Sequence, residues 1–288
     1  MTPFTYHRPA DLSEAVRLLA DAAATTKLLA GGQSLLLALK DRTLRPTRLL
    51  SVASLPELSG IHRLPDGRLD IGAATTYAAL SRERLTGWHA EIAAAAGNLA
   101  DRSVRSLGTI GGAVCQAAPR FDMPTLLTAA GAQMQLHSIT GERTLDATDF
   151  FNPGCGTNMT ASEILTRITV PAVDTFDALA FEKFRFRIFD AAIVSVACAL
   201  KLGGGKISRA RIVVGAIANV PLTALATAAA LVGHRPRDVN AAQIGAAAAA
   251  EVAPFSNEQT LRGRYQSELV ISLTAKAFAR AAQSMAGE

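Results

Sequence analysis

With 288 residues, 49% hydrophobic and 18% charged, the chain can bury a substantial core, and general disorder is excluded. Its length suggests two domains or three small ones. A formal charge of +5 and a pI near 9.4 come mostly from scattered arginines, with no Lys/Arg block and no interleaved aromatics, which argues against nucleic acid as a partner. The mean hydropathy of +0.23 reflects alanine-rich runs. No apolar stretch approaches the roughly 18–20 residues of a membrane span. The N-terminal segment lacks the charged lead and apolar core of a secretory signal, so a cytoplasmic location is expected. Cys115, Cys155 and Cys198 are isolated, without CxxC or histidine at ligand spacing. Neither a disulfide framework nor a self-contained zinc or iron–sulfur site is expected.

In chain order, Phe4 to His7 reads as a short strand, and Asp11 with Glu14 three residues on reads as a capping box for a helix from Leu12 to about Asp21. Lys27 to Ala30 forms a strand that runs into Gly31-Gly32, and Ser34 opens a helix through Leu39. A strand follows at Thr47 to Ser51, then a helical turn at Pro56-Glu57-Leu58. Arg68 to Ile71 is a strand, Thr75 or Thr76 caps a helix, and Trp88 to Ala100 is alanine-based helix. Leu126 to Ala130 continues as helix, and Gln133 to Ser138 pairs through a Gly141 hairpin with Thr144-Leu145. Boundaries fall near 55–60 and 172–178. The last third alternates as strands over Ala180 to Phe186, Ile193 to Leu202 and Ile207 to Ala216, with Gly203-Gly204-Gly205-Lys206 as a hairpin turn. Three helical segments close the chain at about 222–232, 238–251 and 258–284. Strands followed by packed helices indicate an α+β domain.

Two glycine segments carry the chemistry. Arg105-Ser106-Leu107-Gly108-Thr109-Ile110-Gly111-Gly112-Ala113 is poor material for a helix. It suits a tight turn that offers its N–H groups to an anion, since glycine removes the Cβ that would hold a phosphate away. Leu28-Leu29-Ala30-Gly31-Gly32-Gln33-Ser34-Leu35 is the same kind of segment between a strand and a helix N-terminus. It lacks the GxGxxG spacing of a Rossmann fingerprint. Two such loops suggest a ligand with two phosphates, that is, a dinucleotide. No nucleophile or acid–base pair stands out, so no catalytic side chain is assigned.

Ala30-Gly31-Gly32-Gln33-Ser34-Leu35, Thr109-Ile110-Gly111-Gly112, and Pro119 with Asp122 and Pro124 together resemble the FAD-binding medium subunit of molybdenum hydroxylases of the carbon monoxide dehydrogenase and xanthine dehydrogenase type. The resemblance extends over nearly the whole chain, through Phe181-Glu182-Lys183-Phe184-Arg185, Asp190-Ala191-Ala192 and Gly215 to Pro221. It implies an α+β fold with two FAD-binding subdomains of the vanillyl-alcohol oxidase (PCMH) type, residues 1–57 and 58–174. A C-terminal α+β domain of antiparallel sheet and helices, residues 175–288, would follow.

By the same resemblance, Leu29, Ala30, Gly31, Gly32, Gln33, Ser34 and Leu35 form the first diphosphate loop. Ser106, Thr109, Gly111 and Gly112 form the second, so that valine at Gly32 or Gly111 would intrude on the diphosphate. Asp122 would accept from the sugar hydroxyls, Ile164 and Leu165 would pack beside the isoalloxazine ring, and Phe181 and Lys183 would lie near it. Many relatives carry Asn where this chain has Ala113. The flavin would be non-covalent, because neither loop holds the His or Cys a link requires. Molybdopterin and iron–sulfur clusters would reside in a large and a small partner subunit, in a dimer of heterotrimers that passes electrons to an external acceptor. Two other readings fit the residues: a self-sufficient flavin oxidoreductase, and a non-catalytic assembly subunit that has lost FAD.

Overall fold

Asp11 accepts the Glu14 amide at 2.8 Å while Glu14 Oε2 accepts the Ala10 amide at 2.7 Å. The sequence predicts a capping box for α1 (Leu12–Asp21), and the return bond from Glu14 falls one residue before the N-cap. The structure, a computed structural model, describes residues 3–154, 156–256 and 259–285, so Cys155 lies outside it. Helix α1 buries Ala15, Val16 and Leu19 in a core shared with a three-stranded parallel sheet. Its strands are β1 (Thr5–His7), β2 (Thr26–Leu29) and β3 (Arg48–Ser51), in the order β1-β3-β2. Parallel neighbours need crossovers, and α1 with the short α2 (Leu35–Lys40) supplies them.

The middle of the chain begins with β4 (Ile61–Arg63) and β5 (Leu69–Gly72). Five helices follow: α3 (Tyr77–Leu80), α4 (Ala90–Gly97), α5 (Arg102–Leu107), α6 (Ile110–Gln116) and α7 (Asp122–Ala130). Then come β6 (Gln133–Ser138), β7 (Gly141–Asp146), α8 (Ala147–Phe150), the small pair β8 (Phe151–Asn152) and β9 (Gly156–Thr157), and β10 (Ile164–Val170). An antiparallel sheet forms in the order β4-β5-β10-β6-β7. The stretch Ile164-Leu165, taken from the sequence only as a ring-packing segment, is the start of that sheet's central strand. The second glycine segment is helical at both ends, in α5 and α6, and not an open turn.

The third sheet is antiparallel, β11 (Ala178–Phe184), β12 (Val194–Gly203), β13 (Lys206–Gly215) and β14 (Leu222–Thr223), in sequential order. The triple glycine makes the β12–β13 hairpin turn, with Gly204 and Gly205 at φ +61° and +75°. Strand β12 is buried on both faces, which explains its unbroken apolar run. Val194, Val196, Cys198 and Leu200 face a core shared with α9 (Leu225–Leu231), α10 (Ala241–Val252) and α11 (Leu261–Ser284). The smaller Ala197 and Ala199 belong to the other core, which includes Met123, Leu126 and Leu127 of α7. No helix among the described residues is long and apolar enough to cross a membrane.

Candidate functional site

One cavity of about 700 Å³ runs between all three sheets, inside the range of about 300–1,000 Å³ typical of ligand sites. It is lined by Ala30, Gly31, Gly32, Gln33, Ser34 and Leu35 from the first glycine segment and by Thr109, Gly111, Gly112 and Ala113 from the second. Asp122, Ile164, Leu165 and Lys183, also foreseen from sequence, line it as well.

The first segment is an open cradle. Strand β2 delivers the chain to Gly31, and Gly32 turns it in the left-handed region at φ +69°. A Cβ on Gly31 would overlap the Leu107 carbonyl, so glycine is what lets the two segments touch. The amides of Gly31, Gly32, Gln33, Ser34 and Leu35 have no hydrogen-bond acceptor among the described residues, and Ser34 makes no side-chain cap. Consecutive unpaired N–H groups around a left-handed residue are an anion-binding nest.

The second segment is closed. The Ile110 amide donates to Thr75 O at 3.0 Å, Gly111 to Ala73 O at 2.9 Å, and Ala113 to Thr109 O at 3.2 Å. Gly112 donates to the Thr109 hydroxyl at 3.0 Å, which caps α6. Thr76 and Thr109 form an antiparallel bridge, so this stretch pairs with residues 73–77. A Cβ on Gly111 would lie 2.5 Å from both Ala73 O and Ala73 Cβ. That glycine therefore serves a backbone-to-backbone approach, and a side chain there would strike Ala73.

Three residues expected at the site lie elsewhere. Leu29 does not line the cavity, although Leu28 does and Leu29 Cδ1 lies 3.3 Å from where a Gly32 Cβ would sit. Ser106 sits on the exposed side of α5, where its hydroxyl donates to Ser103 O at 2.8 Å. Phe181 is 8% exposed and packed in the core with Leu179 and Ala197. Its amide donates to Glu91 at 2.8 Å and its carbonyl accepts from Arg280 at 2.8 Å.

Asp122 and Lys183, assigned separate roles from sequence, form a buried ion pair across 61 residues of chain. Lys183 also donates to Asn98 O at 3.1 Å, and Arg185 holds the same asparagine at 2.9 and 2.7 Å. Burial pushes the Asp122 carboxyl above its ordinary range, against the opposing pull of Lys183 and Arg185.

Sequence reasoning missed several lining residues. Tyr77 opens α3 and is 4% exposed. Burial, and then the charge of Asp122, raises its phenol well above the usual range. Arg120, between the foreseen Pro119 and Asp122, donates to Ala192 O at 2.7 Å and Ala191 O at 2.8 Å, tying α7's approach to the β11–β12 loop. Cys115 opens on the cavity as a free, exposed thiol. An aromatic at a helix start looks like core in any sequence, and nothing marked these residues in advance.

Residues 2–173 match the model of the FAD binding domain in molybdopterin dehydrogenase. The chain belongs to that family. Residues 179–281 match the carbon monoxide dehydrogenase flavoprotein C-terminal domain. The glyceraldehyde dehydrogenase medium chain of Sulfolobus acidocaldarius is 34% identical over 278 residues, which cover 96% of this chain and 97% of that one. Among solved structures, the carbon monoxide dehydrogenase of Hydrogenophaga pseudoflava lacking the Mo-pyranopterin moiety superposes with a TM-score of 0.89 at 31% identity, covering 98% of both chains. Quinoline 2-oxidoreductase from Pseudomonas putida 86 gives 0.86 at 29% identity, covering 99% of both. The α+β fold with an FAD-binding part and a C-terminal flavoprotein domain is thus the family's fold. The chain is an FAD-binding oxidoreductase subunit of the molybdenum hydroxylase family.

Proposed function

We propose that this chain is the electron-transfer subunit of a heteromeric molybdenum hydroxylase, holding FAD non-covalently between partner iron–sulfur clusters and an external acceptor. The observation that carries the reading is the cradle of five unpaired N–H groups, Gly31 to Leu35, opening on the 700 Å³ cavity. When bound, FAD supplies the redox chemistry, and the protein supplies position and electrostatics.

The cradle holds the diphosphate, with the Ser34 hydroxyl as a further donor. Thr109, Gly111 and Gly112 shape another part of the wall, while Leu107 and Gly108 abut the cradle at Gly31. Asp122 offers its second carboxylate oxygen to ligand hydroxyls while Lys183 occupies the first. Ile164 and Leu165 supply an apolar, water-excluding wall. Lys183, buried beside Asp122 on the cavity wall, would offer its positive charge to a flavin that gains negative charge on reduction. Cys115 is the one thiol on the cavity wall among the described residues.

The proposed division into residues 1–57, 58–174 and 175–288 follows the three sheets. Large molybdopterin-binding and small iron–sulfur partner subunits complete the assembly, proposed as a dimer of heterotrimers. Free thiols at Cys115 and Cys198 suit a reducing cytoplasm. The test is to express the chain alone and with candidate large and small subunits. Visible flavin absorbance in both preparations, and co-purification of molybdenum and iron with the second, is the expected result. A colourless folded chain that takes up no added FAD refutes the reading.

A further inference from the structure

Tyr77 stands at the junction of the two glycine segments. Its amide donates to Gly108 O at 3.0 Å, and its ring edge lies 3.3–3.4 Å from where a Gly108 Cβ would sit. The neighbouring Leu107 carbonyl abuts Gly31. The phenol is therefore fixed beside the cradle, on the cavity wall it shares with Asp122 and Lys183.

Its hydroxyl makes no hydrogen bond within the described residues. Among those residues, the buried polar side-chain atoms without a partner are Thr26 Oγ1, His89 Nδ1 and Thr274 Oγ1. The Tyr77 oxygen is not one of them, so it opens on the cavity. A phenol that is 4% exposed, with its polar end unpaired toward a ligand cavity, has its hydrogen bond still to make. Burial and the negative Asp122 keep it protonated, hence a donor.

We propose that Tyr77 is a positioning residue whose hydroxyl donates a hydrogen bond to an oxygen of the bound dinucleotide, beside the Gly31–Leu35 cradle. The inference rests on the FAD reading above, and the experiment separates the two. The full-length chain is freed of flavin and titrated with FAD by flavin fluorescence, for the wild type, Tyr77→Phe and Tyr77→Leu. Phenylalanine keeps the ring against Gly108 and removes only the oxygen. Its Kd should rise at least about threefold, the loss of one neutral hydrogen bond. The melting temperature of its flavin-free form should match the wild type.

Were Tyr77 merely packing, phenylalanine would bind like the wild type and only leucine would be impaired. A Tyr77→Phe Kd raised by less than that factor therefore overturns the proposal. A wild-type chain that binds no FAD overturns the FAD reading itself, and this inference with it.

Discussion

Gly111→Ala distinguishes a glycine kept for phosphate contact from one kept for packing. The new Cβ would stand 2.5 Å from Ala73 O and Cβ and 2.8 Å from Ala73 Cα, all on a neighbouring backbone stretch with little room to retreat. Overpacking of this kind costs about 1–3 kcal/mol. Displacing α6 also weakens the 2.9 Å bond from Gly111 to Ala73 O, worth about 0.5–1.5 kcal/mol net. Alanine's better helix propensity returns about 1 kcal/mol. A net loss of about 1–3 kcal/mol corresponds to a melting temperature lower by roughly 2–5 °C. The assay is thermal unfolding of the flavin-free chain, followed by FAD titration of whatever remains folded. Gly32→Ala is the contrast. Its Cβ meets only the ends of Leu36 and Leu29 at 3.1 and 3.3 Å, but the backbone at φ +69° disfavours any side chain, so the cradle should distort and FAD binding weaken. If Gly111→Ala melts like the wild type yet loses FAD, the second segment touches the diphosphate after all and the packing account is refuted.

Lys183→Met leaves Asp122 buried without its counter-charge and should destabilise the chain by about 3–5 kcal/mol by denaturant unfolding. Adding Asp122→Asn should recover most of that loss, and a single variant as stable as the wild type would deny the pair its role. His89 is fully buried, with Nε2 2.7 Å from Pro171 O, and burial lowers its pKa below the ordinary 6.5. Below pH 6.5 the unfolded chain then binds a proton that the folded chain resists, so stability should fall as pH drops through that value. Denaturant midpoints at pH 7.5 and 5.5 should differ less in His89→Gln than in the wild type. Ser106→Ala, on the exposed side of α5, should leave FAD affinity unchanged in the same fluorescence titration, despite its place in the motif.

Much of the architecture was legible because local signals agreed with the fold. Asp11 and Glu14 form their cap, Gly204 and Gly205 form their hairpin, and Gly31-Gly32 turns a strand into a helix as read. Residues 105–113 misled for a physical reason. Glycine's cost in a helix is about 1 kcal/mol per residue, and a close tertiary approach at Ala73 outweighs it. The same glycines that suggest an open anion loop are what a tightly packed helix start requires, and only the neighbour decides between them. The Asp122–Lys183 pair was unreadable because the two residues lie 61 positions apart, one at the start of α7 and the other on β11. Phe181 misled because positions 181 and 183 share one face of β11, yet only Lys183 reaches the cavity. Two residues back, the same face is already core.

The two glycine segments thus divide the labour unequally, and Ala113 sharpens the division. Its methyl lies in the cavity wall and its amide is spent on Thr109 O, so it brings no donor to the ligand. With the amides of Ile110 to Ala113 also spent, the proposed binding mode draws its polar grip from the Gly31–Leu35 cradle, Tyr77, Asp122 and Lys183. These residues belong to different parts of the chain, and Arg120 binds the wall to the Ala191–Ala192 backbone besides. A ligand that bridges them cross-links the three sheets, so its binding free energy is also stability of their arrangement. FAD at 100 times its Kd would add about 2.7 kcal/mol to that arrangement. A chain that has given up contacts on one wall would then depend more heavily on its bound cofactor to hold the other two in place.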